Sequence, residues 1–108
     1  MKPPKAVTKP PHLFCFGLGY SAAALAAKLL SRNWQVTGTC RDRARAGELE
    51  RLGIRAVLFD RLHPIGDIEP RLAAATHLLS SVPPDGQSDP VLAVHGAAIA
   101  AAAPRLAW

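Results

Sequence analysis

Aromatic side chains are scarce in this chain, 6% of 108 residues. The chain therefore has little bulky surface for anchoring a large partner, and its many alanines suit close packing of helix on sheet. Cysteine is nearly absent. Cys15 and Cys40 are too few for a disulfide framework. Both lie on apolar, strand-like segments and read as reduced, buried thiols. Lysine is also sparse, and all but Lys28 lie in the N-terminal tail. The net charge of +5 and pI of about 9.9 thus rest on dispersed arginines. A nucleic-acid footprint needs a basic stripe or a known module, and neither is present. The one local group, Arg41, Arg43 and Arg45, suits a phosphorylated small ligand better. His12, His63, His77 and His95 have no metal-ligand spacing and read as loop or helix-surface residues.

An unbroken apolar run is missing as well. The stretch from Leu13 to Leu30 is interrupted by Gly17, Gly19 and Lys28. That excludes a membrane span, which needs about 20 consecutive apolar residues. The preceding tail carries Pro3, Pro4, Pro10 and Pro11, which argues against a secretory signal. The expected compartment is then the cytoplasm. With 49% apolar and 19% charged residues, the chain suits one packed domain.

Residues 1–11 read as a disordered Pro/Lys tail. Leu13-Phe14-Cys15-Phe16 reads as a short buried strand. Ala22, Leu25, Ala26, Leu29 and Leu30 then repeat at helical spacing. Gln35 to Cys40 predicts a second strand. Asp42 can cap a helix whose apolar face is Leu49 and Leu52 and whose end is Gly53. Ala56 to Phe59 predicts a third strand, ending at Asp60. A loop with Pro64 and Gly66 leads to a short helix near Ile68 to Ala74. His77 to Val82 predicts a fourth strand, stopped by Pro83-Pro84. Asp89-Pro90 is an N-cap followed by proline at the first helical position, and Pro104 ends that helix. Leu106-Ala107-Trp108 reads as the opening of a fifth strand. This alternation predicts an α/β fold: a parallel sheet of four strands, order 3-2-1-4, with helices on both faces.

Between the first strand and its helix stands Gly17-Leu18-Gly19-Tyr20-Ser21-Ala22, a G-x-G-x-x-A turn. Gly17 permits the tight turn and Gly19 lets a pyrophosphate approach the backbone. Ala22 lets the helix pack closely on the sheet. The helix N-terminus offers N–H groups to phosphates. These features predict a dinucleotide-binding partial Rossmann domain over residues 12–108. At the end of the second strand, Cys40-Arg41 replaces the acidic residue that binds the ribose of NAD. A guanidinium there can hold a 2′-phosphate, so NADP is the expected cofactor, with NAD as the alternative. Asp42 could still reach a ribose. Arg43 can add positive potential, whereas Arg45 reads as part of a solvated helix face. Asp60 can accept from the adenine amino group or cap the next loop. Ser81-Val82-Pro83 would lie along the cofactor ribose.

Gly17-Leu18-Gly19-Tyr20, Val36-Thr37-Gly38-Thr39-Cys40-Arg41, Ser81-Val82-Pro83-Pro84 and Asp89-Pro90-Val91-Leu92 together resemble an atypical extended short-chain dehydrogenase/reductase. More narrowly, they resemble the nucleoside-diphosphate-sugar epimerase-like proteins of the NAD-dependent epimerase/dehydratase group. The resemblance covers about Leu13 to Trp108 and only the N-terminal part of that family's cofactor domain. It implies cofactor roles for Gly17, Gly19, Tyr20, Ser21, Arg41, Asp60, Ser81 and Val82. It also implies a catalytic Tyr-x-x-x-Lys pair, which no residues here match. Tyr20 is the only tyrosine, and no lysine follows Lys28. The expectation is a domain cut before its catalytic part, belonging to an oxidoreductase or nucleotide-sugar epimerase. It should bind cofactor without turnover. The alternative is a non-catalytic NADP-binding sensor or partner module. In the order 3-2-1-4 the fourth strand is an edge whose unpaired backbone invites self-association. Light scattering at high concentration should then read a dimer or larger species, and a clean monomer would contradict this.

Overall fold

Leu13-Phe14-Cys15-Phe16 sends alternate side chains to opposite faces of a sheet, and all four are buried. The strand that contains them, β1 (His12–Phe16), is hydrogen-bonded on both sides. It pairs in parallel with β2 (Gln35–Cys40) and β4 (His77–Ser80), while β2 pairs in parallel with β3 (Arg55–Leu58). The sheet order is therefore β3-β2-β1-β4, as the alternation of elements predicts. These assignments come from a computed structural model that describes residues 10–18, 20–80 and 89–106, with Tyr20 and Ser21 described by their backbone alone.

The two faces carry different partners. Leu13, Cys15, Val36 and Cys40 pack with Ala22 and Ala26 of α1 (Tyr20–Leu30) and Leu49 of α2 (Arg43–Arg51). Phe14, Phe16, Val57 and Phe59 pack with Ile68 and Leu72 of α3 (Ile68–Ala74) and with Val91 and Ala102 of α4 (Pro90–Ala102). Helices thus cover both faces, which explains why β1 reads as a continuous apolar run without polar alternation. The aromatic core lies on the α3–α4 face. Phe14 and Phe16 are 5.0 Å apart between ring centres, and Phe16 and Phe59 are 5.6 Å apart.

The helix ends follow local chemistry. Asp42 Oδ1 accepts the Arg45 N–H at 2.8 Å and caps α2. Asp89 Oδ1 accepts the Val91 N–H at 2.9 Å, with Pro90 in the first turn of α4. Pro70 also falls in a first turn, that of α3, where a missing N–H loses no intrahelical bond. Gly53 closes α2 at φ +91, a conformation that side chains resist.

Several local details depart from the sequence reading. Leu52 does not share the buried face of Leu49. It sits at the C-cap, 60% exposed, because the left-handed turn at Gly53 swings Ile54 into the core instead. The third strand is shifted one residue earlier, though the Phe59 N–H still donates to the Cys40 carbonyl at 2.9 Å. Pro11, assigned to the tail, already accepts the Gln35 N–H at 2.9 Å. Helix α4 ends at Ala102 and passes into a 3₁₀ turn, Ala103–Arg105, that includes Pro104. His95 is not on a helix surface. It is buried, and its Nε2 accepts the Ile65 N–H at 3.0 Å. His12 lies in β1 and shares a hydrogen bond of 2.7 Å with the buried Thr37 hydroxyl. The expected continuation of β4 through Ser81 and Val82 lies outside the described residues, as do Ala107 and Trp108 of the expected fifth strand. No helix among the described residues is long and apolar enough to cross a membrane.

Candidate functional site

Four parallel strands point their C-terminal ends to one side. The chain leaves β1 toward β2 and β3, and later returns to the other side of β1 as β4. The reversal makes a topological switch point beside β1, the place where open α/β sheets form a ligand crevice. Gly17 and Leu18 follow β1 at this edge. Arg41 follows β2, Asp60 lies beyond β3, and Ser80 ends β4. The fold therefore brings together residues that the sequence scatters over more than 60 positions.

Gly17 adopts φ +80, the left-handed region that its predicted role in a tight turn requires. Ala22 is buried against the sheet, as close helix packing demands. Helix α1 has no acidic residue in its first turn, so nothing there offsets the attraction of its N–H groups for an anion.

The turn is held by the second strand. The Gly17 N–H donates to Thr39 Oγ1 at 2.7 Å, and the Leu18 N–H donates to the Thr39 carbonyl at 3.1 Å. The Leu18 side chain is buried directly over Gly38. A methyl group added at Gly38 would come within 2.8 Å of Leu18 Cδ1, so only glycine lets the turn lie this close to β2. On the outer side, Arg45 Nη2 donates to the Leu18 carbonyl at 3.1 Å. Arg45 Nη1 meets Glu48 Oε1 at 3.1 Å. The reading of Arg45 as part of a solvated face is thus corrected: α2 starts close enough to the turn for its guanidinium to fold back. Thr39 stands in the second-strand motif, but the sequence assigned it no role at the turn. A glycine inside a strand, as at Gly38, is a sign of close backbone approach and was the available clue.

The other candidates fall into distinct settings. Arg41 is exposed at the strand end and forms no ion pair among the described residues. The Cys40 thiol points inward and contacts the Asp42 carbonyl at 3.6 Å. Burial, and then the neighbouring Asp42 carboxylate, raise its pKa and keep it protonated. Asp42 is engaged as the cap of α2. Asp60 Oδ1 accepts from the Leu62 N–H and from His63 Nδ1, each at 2.8 Å, so the carboxylate caps its own loop. The hydrogen bond from His63 is the main reason that its pKa lies below the usual carboxylate value. Gly19, Ser81, Val82 and Pro83 lie outside the described residues, and so do the side chains of Tyr20 and Ser21. Among the described residues, no three His, Cys, Asp or Glu side chains could hold a metal ion.

No family model and no curated protein matches the sequence. Solved structures do match. A functionally unknown conserved protein from Silicibacter pomeroyi is 35% identical, with a TM-score of 0.75 over 91% of this chain and 33% of its own. Gre2 from Candida albicans, solved in complex with NADPH, is 19% identical, with a TM-score of 0.69 over 90% of this chain and 35% of its own. The TrkA-N domain of the Escherichia coli inner membrane protein ybaL is 24% identical, with a TM-score of 0.60 over 91% of this chain and 67% of that domain. The fold is therefore a Rossmann-like α/β sheet. The chain spans about a third of the length of the first of these proteins.

Proposed function

We propose that this domain binds NADP(H) at the switch point beside β1. In this reading it is the cofactor-binding part of a short-chain dehydrogenase/reductase-like oxidoreductase or nucleotide-sugar epimerase. One observation carries the reading: a glycine at φ +80 joins the central parallel strand to a helix N-terminus at the point where the strand order reverses. The pyrophosphate would face the N–H groups at the start of α1. Arg41, exposed at the end of β2, would pair with the 2′-phosphate. The likeness of this fold to that of Gre2, solved in complex with NADPH, supports the choice of ligand class. The 108 residues hold no Tyr-x-x-x-Lys, so in this reading they bind cofactor and transfer no proton.

Titration calorimetry with NADPH and NADH tests the proposal. A charge-assisted hydrogen bond to the 2′-phosphate contributes about 1.5–3 kcal/mol, or roughly ten- to hundred-fold in affinity. NADPH should bind tighter than NADH by that factor, and Arg41→Ala should abolish the difference. Equal affinities in the wild-type protein would remove Arg41 from this role.

A further inference from the structure

Arg45 lies four positions after Arg41, in the first turn of α2, and the same 2′-phosphate could be expected to draw both guanidinium groups. The geometry assigns it differently. Its backbone N–H is bonded to the Asp42 cap at 2.8 Å, which fixes where its side chain begins. One guanidinium nitrogen is 3.1 Å from the Leu18 carbonyl, and the other is 3.1 Å from Glu48. The side chain is only 31% exposed, whereas Arg41 belongs to the exposed surface. Thr39 does not meet the Leu18 carbonyl, which is bonded from α2 instead. Thr39 takes both N–H groups, of Gly17 and of Leu18.

We propose that Arg45 is a positioning residue that anchors the glycine-rich turn to helix α2 through the Leu18 carbonyl, and is not a ligand of the 2′-phosphate. The inference rests on the cofactor reading given above and deepens it. The turn would be clamped from β2 on one side and from α2 on the other, so that its N–H groups are set before any anion arrives. Setting them in advance lowers the ordering cost of binding for every ligand that uses the turn. A 2′-phosphate clamp would favour only phosphorylated ligands. The two roles therefore differ in selectivity.

The experiment compares wild-type protein with Arg45→Met, which keeps the aliphatic stem and removes the donors. NADP+ and NAD+ affinities are measured by calorimetry, and amide exchange of Gly17 and Leu18 is followed by NMR in the ligand-free protein. The expected result is a loss of about five- to tenfold in affinity for both dinucleotides alike. Exchange at the Gly17 and Leu18 amides should quicken in parallel, while the Phe14 and Thr37 amides within the sheet keep their rates. Arg45→Lys, which retains a donor of similar reach, should recover part of both effects. A selective loss of NADP+ binding with NAD+ unaffected would overturn the assignment, as would unchanged exchange at Gly17 and Leu18. If the wild-type protein binds neither dinucleotide, the cofactor reading fails. The exchange rates then decide the positioning role by themselves.

Discussion

Phe16→Ala is expected to cost about 3–5 kcal/mol of stability. Phe16 is the last residue of β1 and is fully buried. Its ring meets Phe14 at 5.0 Å, Phe59 at 5.6 Å and His95 at 6.2 Å, and thus ties β1 to the loop after β3 and to α4. Deleting it removes transfer energy and leaves a cavity that a strand hydrogen-bonded on both sides cannot collapse to fill. Domains of this size hold only about 5–15 kcal/mol in total, so a large share of the margin disappears. The consequence reaches the site, because Gly17 follows directly and its φ of +80 depends on where β1 ends. Urea denaturation followed by tryptophan fluorescence measures the loss. A destabilisation under about 1 kcal/mol would mean that the ring is not a core anchor.

The second large effect is on acid stability. His95 Nε2 must be unprotonated to accept the Ile65 N–H, and burial alone lowers the pKa of this ring below its usual 6.5. His95 faces Phe16 and Phe59 from the sheet side, and Ile65 from the loop that also holds Asp60, Arg61, His63 and Asp67. Helix α3, packed against α4, carries Glu69 and Arg71, and α4 itself carries no charged side chain. None of these charges contributes to the His95 shift. His12 is shifted in the same direction, by burial first and by Arg55 second. For a group whose folded pKa is depressed and which is charged by protonation, the unfolded chain takes up the proton more readily. The stabilisation is therefore complete above pH 6.5 and declines as pH falls from there toward the folded pKa values. A protonated His95 would also set N–H against N–H inside the core, leaving a buried donor unsatisfied at about 1–3 kcal/mol. Unfolding free energies measured at pH 7.5, 6.5 and 5.5 should fall steadily. His95→Gln keeps an acceptor and cannot titrate, so it should be less stable at pH 7.5 yet lose much less on acidification. Equal pH slopes for the two proteins would show that His95 is not the acid-sensitive group.

Residue order alone determined the parts of this protein that depend on neighbours in the chain. Leu13 to Phe16 announced a strand covered on both faces, and Gly17 and Ala22 announced the tight turn and the close helix. Asp42, Gly53, Asp89 and Pro90 marked helix ends, because capping bonds join residues two or three positions apart. The alternation of elements then left few topologies, and the order 3-2-1-4 was among them. Tertiary structure decided the rest. Thr39 reached Gly17, and Arg45 reached Leu18, only once β2 had registered beside β1 and α2 had started above the turn. His95 looked like any polar residue in an alanine-rich helix until α4 laid that face on Phe16 and Phe59. Leu52 stayed outside and Ile54 entered the core because one left-handed residue between them turned the chain over. These contacts span up to 30 or more positions and depend on which face meets which. A one-residue change of register or rotation reverses that outcome while leaving the local pattern untouched.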